Sequence, residues 1–281
     1  MNAGCTIGAK RVPERFYLFK NRDLVYPDFR DHLIYDERVF AVAGINIADG
    51  SESGVSIGIN SSGLALCSAT VLINDDLPYD PLLEQILRDA DNIDQAEEIV
   101  GEAFDVGRHY QWCNIVIGSL DEVGVIEIGP EGYALERDDV FITRANHHLK
   151  LTTTEMVKNA SKRAREAAGP LTDSQIRRQV ASAMTKDATA LQDFISVVSS
   201  HSQSKGFDSI CRHRDAPSAN GEYLGQTAYS YIIEVQQGMH HSYDIAFYVS
   251  RGNPCSSTFQ KLPVDFESPD ATKDSTISRF P

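Results

Sequence analysis

The fifth residue is a cysteine directly preceded by glycine, in Met1-Asn2-Ala3-Gly4-Cys5-Thr6-Ile7-Gly8. A thiol attacks carbon efficiently only as thiolate, and its ordinary pKa of about 8.5 leaves it mostly protonated at neutrality. Removal of the four residues before Cys5 would give it a free α-amine, which titrates at about 7.7–8.0 and is partly unprotonated near neutral pH. The amine would then serve as base for its own side chain, with a geometry fixed by one rotamer. Gly4 suits a bond that is to be cut: it has no Cβ to obstruct attack on its carbonyl and tolerates strained backbone angles. A cysteine near a terminus is, by itself, equally a small inert hydrophobe. The chemistry therefore rests on what else the chain places around it.

Five further stretches carry polar residues at the ends of apolar runs: KNRDL (20–24), GINSSGLAL (58–66), ITRANHHL (142–149), DSICRH (208–213) and RGNPCSSTF (251–259). Singly, each has a plain structural reading. Arg22-Asp23 reads as a turn or an exposed ion pair, Asn60 as a turn residue in NSSG, and Asn146 as a partner for local backbone. The paired histidines at 147–148 and 240–241 would point to opposite faces of a strand, so no shared metal is expected of them. GxGxxG, Walker, HExxH and GxSxG patterns are absent, and no cofactor is expected.

In this order, Gly-Cys-Thr, Asn-Arg-Asp, Gly-Ile-Asn-x-x-Gly-Leu-Ala, Thr-x-x-Asn-His and Ser-Ile-Cys-Arg-His resemble the landmarks of cysteine-type N-terminal-nucleophile (Ntn) hydrolases. The branch is that of acyl-coenzyme A:6-aminopenicillanic acid acyltransferases, penicillin V acylases and choloylglycine hydrolases. The landmarks run from residue 4 to about residue 259. The resemblance implies an α+β, four-layer αββα sandwich of two mainly antiparallel sheets. It also implies attack on a linear amide by Cys5, a thioester intermediate, and release to water or to an amine. On that basis Cys5 is the nucleophile, and Asp23 holds its amine or thiol by a charged hydrogen bond. Arg22 lowers the thiol pKa or orients the substrate carbonyl. Asn146 is the oxyanion donor, with the Thr70 backbone N–H as a second. Arg212 supports Asp23 or the nucleophile, and Asn60 is a weaker candidate.

The chain departs from that pattern at three places. Four residues, not Met alone, precede the cysteine; Thr70 stands where the bile-salt branch has Asn; and Arg22 and Asp23 are contiguous. Two other readings compete: a catalytically inactive relative that kept the fold as a binding protein, and a conventional Cys–His hydrolase using His147 or His213 without terminal processing. An aromatic or apolar acyl pocket is expected from Tyr26, Phe29, Tyr35, Tyr79 and Tyr223 in loops at 24–36, 72–80 and 214–226.

These residues need a scaffold, and the composition provides for one. With 281 residues and 42% hydrophobic content the chain can build a sizeable core, read here as a single domain with a short pro-segment (1–4) and a loose polar tail (263–281). The net charge of −14 disfavours a nucleic-acid partner. No apolar run is long enough to span a membrane, so no membrane partner is expected. The five cysteines contain no CxxC pair and fit a reduced, cytoplasmic protein acting on a small molecule; homo-oligomer formation is left open.

Alternating patterns predict strands at 15–21, 38–46, 54–60, 63–72, 112–119, 124–129, 132–137, 140–144, 227–235 and 243–250, with FDSICRH (207–213) also strand-like. Helical patterns cover DPLLEQILRDA, NIDQAEEIVGEAF and parts of 152–200, with an N-cap at Thr172 or Asp173. Two clusters of strands, each followed by helices, predict two packed sheets with helices outside them.

Overall fold

The structure, a computed structural model, describes residues 2–24, 29–46, 52–161, 170–214, 225–238 and 243–281. Its strands are β1 (Asn2–Val12), β2 (Arg15–Leu24), β3 (Phe29–Tyr35), β4 (Val39–Asn46), β5 (Glu52–Asn60), β6 (Ala65–Leu72), β7 (Trp112–Gly118), β8 (Val123–Gly129), β9 (Gly132–Asp138), β10 (Phe141–Arg144), β11 (Gln226–Gln237), β12 (Tyr243–Arg251) and β13 (Gln260–Val264). The helices are α1 (Asp80–Asp89), α2 (Ile93–Asp105), α3 (Thr154–Asn159), α4 (Leu171–Asp187), α5 (Leu191–Ser199) and α6 (Pro269–Arg279).

The fold is α+β with two antiparallel sheets. The first has six strands in the order β10-β1-β2-β11-β12-β13, and the second is a seven-stranded meander from β3 to β9. Period-two alternation assigns each face. On β2, Phe16 and Leu18 enter a core shared with Ala65, Cys67 and Ala69 of β6, so that core lies between the sheets. Tyr17 and Phe19 point the other way, into a cluster with Ala181, Phe194 and Val197 from α4 and α5. Leu66, on the opposite face of β6 from Cys67, joins Leu83, Ile86 and Leu87 of α1 and Ile93 and Val100 of α2.

Strands β5 and β6 pair only where Ile57–Ile59 faces Ala65–Cys67, and β6 continues to Leu72 against β7 alone. Into the gap comes Lys20 of β2, from the other sheet. Its buried ammonium donates to the carbonyls of Ser56 at 3.1 Å and Ser68 at 2.8 Å. A second tie between the sheets is the buried pair of Arg22 on β2 with Asp31 on β3, whose carboxylate also accepts from the Tyr231 hydroxyl.

Several expectations need correction. The segment 263–281 is not a loose tail: it holds the end of β13 and helix α6. Thr272 meets the Tyr35 hydroxyl at 2.8 Å, Thr276 is buried, and Phe280 stacks on Tyr229. Residues 29–35, expected as loop, are strand β3. FDSICRH is not a strand, because its N–H groups bond locally: Ser209 to Gly206, Cys211 to Ser200 and His213 to Lys205. Helix α4 starts at Leu171 after Pro170, one to two residues before the expected cap.

Replacing Lys20 by Met keeps most of the volume but leaves the Ser56 and Ser68 carbonyls unpaired. The expected loss is about 2–4 kcal/mol of stability, read from the denaturant midpoint at constant m-value.

Candidate functional site

Cys5 lies on β1, and a bulge between Asn2 and Cys5 breaks its register with β2. Gly4 occupies the bulge with φ +107°, a conformation that L side chains rarely adopt. A Cβ built there would stand 3.0 Å from Arg212 Nη2 and 3.3 Å from Asn146 Oδ1. The Gly4–Cys5 peptide bond is thus pressed against polar groups, and Cys5 itself is buried.

The Cys5 backbone N–H donates to Asn146 Oδ1 at 3.0 Å. Arg177 Nη2 donates to the same oxygen at 2.5 Å, and Asn146 Nδ2 donates to the Thr70 carbonyl at 2.7 Å. Only one orientation of the amide satisfies all three partners. Asn146 therefore orients the nitrogen of the expected nucleophile, and an oxyanion contact would draw on its second Nδ2 hydrogen.

The turn that carries Asn146 is clamped on every side. Asn114 Nδ2 donates to the carbonyls of Ala145 at 2.8 Å and His147 at 3.0 Å, bracketing the residue. Its own N–H donates to Ser174 Oγ at 2.8 Å. The buried Glu127 carboxylate accepts from the N–H groups of Leu149 at 2.8 Å, Lys150 at 2.9 Å and Leu151 at 3.0 Å, and from Arg144 at 3.1 Å. Ser174 and Arg177 share one face of α4 at helical spacing i, i+3.

Asp23 points to the opposite face of β2 from Lys20 and Arg22, as strand alternation requires. Its carboxylate pairs with Arg212 Nη2 at 3.2 Å and accepts from the Thr227 hydroxyl at 2.7 Å. Burial raises the Asp23 pKa, opposed by the guanidinium groups of Arg212 and Arg177. Burial, with Arg212 close by, lowers Arg177 to about 10. Arg212 also lies over the Phe207 ring at 3.9 Å from its centroid. The buried cations Lys20, Arg177 and Arg212 thus gather around Cys5.

The expected residues divide. Cys5, Asn146, Thr70, Asp23 and Arg212 converge, through the Gly4–Cys5 bond and its neighbours. Thr70 contributes its carbonyl, while its hydroxyl meets the Tyr79 hydroxyl at 2.5 Å. Arg22 stands opposite Cys5 in the β1–β2 register, but its guanidinium extends to Asp31 and Ser53. Asn60 is not brought in. It closes the turn after β5, donating to the carbonyls of Leu87 and Ala90 and accepting from Ser62 and Leu64. With Asn60 beside Leu64, six residues along β6 from Thr70, the separation is about 20 Å.

Two cationic contributors escaped the sequence reading. Lys20 was legible as the in-phase partner of Phe16, Leu18 and Arg22, a charged residue on a core-facing strand position. Arg177 had no such signal, since RR on an amphipathic helix is ordinarily a solvated pair.

The other cysteines occupy structural settings. Burial raises the thiols of Cys67 and Cys113 well above their ordinary range and pushes Cys211 up to about 12. His147 meets Ser174 Oγ at 2.8 Å, and His213 Nε2 lies beside Cys255 Sγ at 3.3 Å. Of the expected acyl-pocket aromatics, Tyr35 is a core residue bonded to Asp265 and Thr272, and Tyr79 holds Thr70. Tyr26, Tyr223, the Phe29 side chain and the His240–His241 pair lie outside the described residues.

No protein-family model matches the chain, and no curated protein matches it. No helix among the described residues is long and apolar enough to cross a membrane.

Burial, with Arg178, Arg177 and Arg144 nearby, lowers His147 to about 4 from an ordinary 6.5. Between those values the unfolded chain binds the proton and the native state does not, so stability falls as pH drops through the window. The loss reaches at most about 3 kcal/mol. A His147→Asn variant is expected to show a flatter stability profile between pH 6.5 and 4 in urea titrations, and unchanged slope would mean that His147 ionises freely in the native state.

Proposed function

We propose that the protein is an N-terminal cysteine amidohydrolase or acyltransferase of the Ntn class, acting on a linear, non-peptide amide through a Cys5 thioester. The observation that carries the reading is the pairing of the Cys5 nitrogen with Asn146 Oδ1 at 3.0 Å, across a Gly4–Cys5 bond held in a left-handed bulge beside Arg212. The two sheets packed on one core, with helices against their other faces, fit the four-layer αββα arrangement of that class.

In maturation, Cys5 Sγ attacks the Gly4 carbonyl carbon and the C–N bond to Cys5 breaks. The nitrogen takes up the thiol proton. The resulting Gly4 thioester is hydrolysed by water, releasing Met1–Gly4 as a carboxylic acid and leaving Cys5 with a free amine. That amine stays at Asn146 Oδ1, oriented to accept the thiol proton in each later cycle. In turnover, the thiolate attacks the substrate carbonyl and the Cys5 amine passes its proton to the leaving amine. Water or a second amine then attacks the thioester. The second Nδ2 hydrogen of Asn146 and the Thr70 N–H stabilise the oxyanion. Arg177 fixes the Asn146 amide, and the Asp23–Arg212 pair backs the nucleophile.

The active chain is expected to begin at Cys5, as read by intact mass and N-terminal sequencing. Cys5→Ala should retain its N-terminal residues and lack turnover. An active, homogeneous preparation starting at Met1 or Asn2 would overturn the reading in favour of a Cys–His hydrolase.

Asn146→Ala should fold but slow both maturation and acylation by about 10²–10³-fold. Single-turnover kinetics beside a denaturation curve separate this from a stability effect alone: normal acylation in the folded variant would remove Asn146 from the machinery.

A further inference from the structure

A second cluster of reactive side chains lies in the segment that leads to Arg212. Cys211 Sγ and Cys255 Sγ are 3.6 Å apart, and His213 Nε2 is 3.3 Å from Cys255 Sγ and 3.7 Å from Cys211 Sγ. His201 joins from the end of α5: one ligand atom each from His201, His213 and Cys255 lie within 4.8 Å of one another. The two imidazoles meet edge to face, with ring centroids 5.3 Å apart.

The separations among Cys211, Cys255 and His213 match three corners of a tetrahedral zinc site, and His201 stands beside them as the fourth ligand, within 4.8 Å of His213 and Cys255. Zinc bonds of about 2.3 Å to sulfur and 2.0–2.1 Å to nitrogen place neighbouring ligand atoms about 3.8 Å apart for S–S and about 3.5 Å for S–N. The donor set, two thiols and two imidazoles, is of the borderline-soft kind that selects zinc over magnesium or calcium. The surroundings also orient the ligands. His201 Nδ1 lies 3.2 Å from the Ser202 carbonyl, a contact that orients its ring. Asn253 Nδ2 donates toward Cys211 Sγ at 3.7 Å and to the Arg212 carbonyl at 2.5 Å. The turn that presents Cys255 is closed by bonds from the Ser256 and Ser257 N–H groups to the Asn253 carbonyl, both at 3.0 Å.

We propose that Cys211, His213, Cys255 and His201 form a structural zinc site. Binding displaces one proton from each thiol to solvent and leaves four protein ligands on the metal. The site has a consequence for the candidate catalytic centre. Cys211 and His213 turn one way from the chain and Arg212, between them, turns the other way to Asp23. A metal holding both flanking residues fixes the backbone from which Arg212 reaches Gly4 and Asp23. Ligands at 201, 211, 213 and 255 have no CxxC or HxxxH spacing, which is why the sequence pattern conceals them.

The test uses the full chain, stripped with a chelator under reducing conditions and titrated with zinc chloride against a chromophoric competitor. One equivalent is expected, and cobalt(II) in its place should give the intense visible bands of a tetrahedral ion and a thiolate charge-transfer band near the ultraviolet. Cys255→Ser and His213→Gln should each weaken zinc binding more than the roughly 10–100-fold typical for loss of an outer-shell partner. His201→Gln should weaken it while leaving the cobalt thiolate band. Cys5→Ser should still bind one equivalent, so failure of the catalytic reading leaves this result unaffected. Less than a tenth of an equivalent, binding that survives Cys211→Ser with Cys255→Ser, or a Cys211–Cys255 disulfide that persists under the reducing conditions would each overturn the proposal.

Discussion

The ammonium of Lys20 in the seam between β5 and β6 is the constraint on which the arrangement depends. A buried cation is costly unless polar groups surround it, and here two carbonyls freed by the parting of the strands accept from it. The opening in the second sheet and the charge from the first therefore require each other. Burial lowers the Lys20 pKa, opposed by Cys5, Cys67 and Asp80. The same residue that joins the sheets thus contributes to the electrostatics around Cys5.

A related economy governs the turn after β10. Glu127, Asn114, Ser174 and Arg177 come from β8, β7 and α4, and all converge on residues 145–151. Each bonds backbone or the Asn146 amide, so the Asn146 side chain has its direction set by residues of three elements. Preorganisation of this kind is what lets one amide hold a reacting nitrogen without reordering during the reaction. The Asp23–Arg212 pair is built on the same logic from the other side of β2, with Thr227 of β11 accepting the Arg212 N–H at 2.9 Å and donating to Asp23 at 2.7 Å.

The sequence by itself determined the strand and helix inventory where one face is buried. Period-two alternation in RFYLFKN and helical spacing in NIDQAEEIVGEAF both survive because burial enforces the period. The resemblance of its short motifs to the Ntn-hydrolase landmarks is what placed Cys5, Asp23, Asn146 and Arg212 together, along with Arg22, Thr70 and Asn60. Pattern alone misreads two segments, for opposite reasons. Residues 263–281 look polar along their length, yet α6 is held by Thr276 and Phe280 against a distant core. FDSICRH alternates like a strand, yet its N–H groups find local acceptors first.

Only the tertiary structure decided which polar residues meet. Asn60 and Asn146 have similar local sequence character. One closes a turn with its amide satisfied by Ser62, Leu64, Leu87 and Ala90, and the other faces a nitrogen 141 positions away. Arg22 and Arg212 were equal candidates beside the nucleophile, and strand alternation with sheet pairing sent Arg22 to Asp31 and Arg212 to Asp23. Arg177 and the Cys211–His213–Cys255 cluster carry no spacing signal at all. Arg177 lies 31 positions from Asn146, and Cys211 lies 44 from Cys255. The physical reason is that local sequence fixes the period and face of an element, whereas the distance between side chains on different elements is set by how those faces pack.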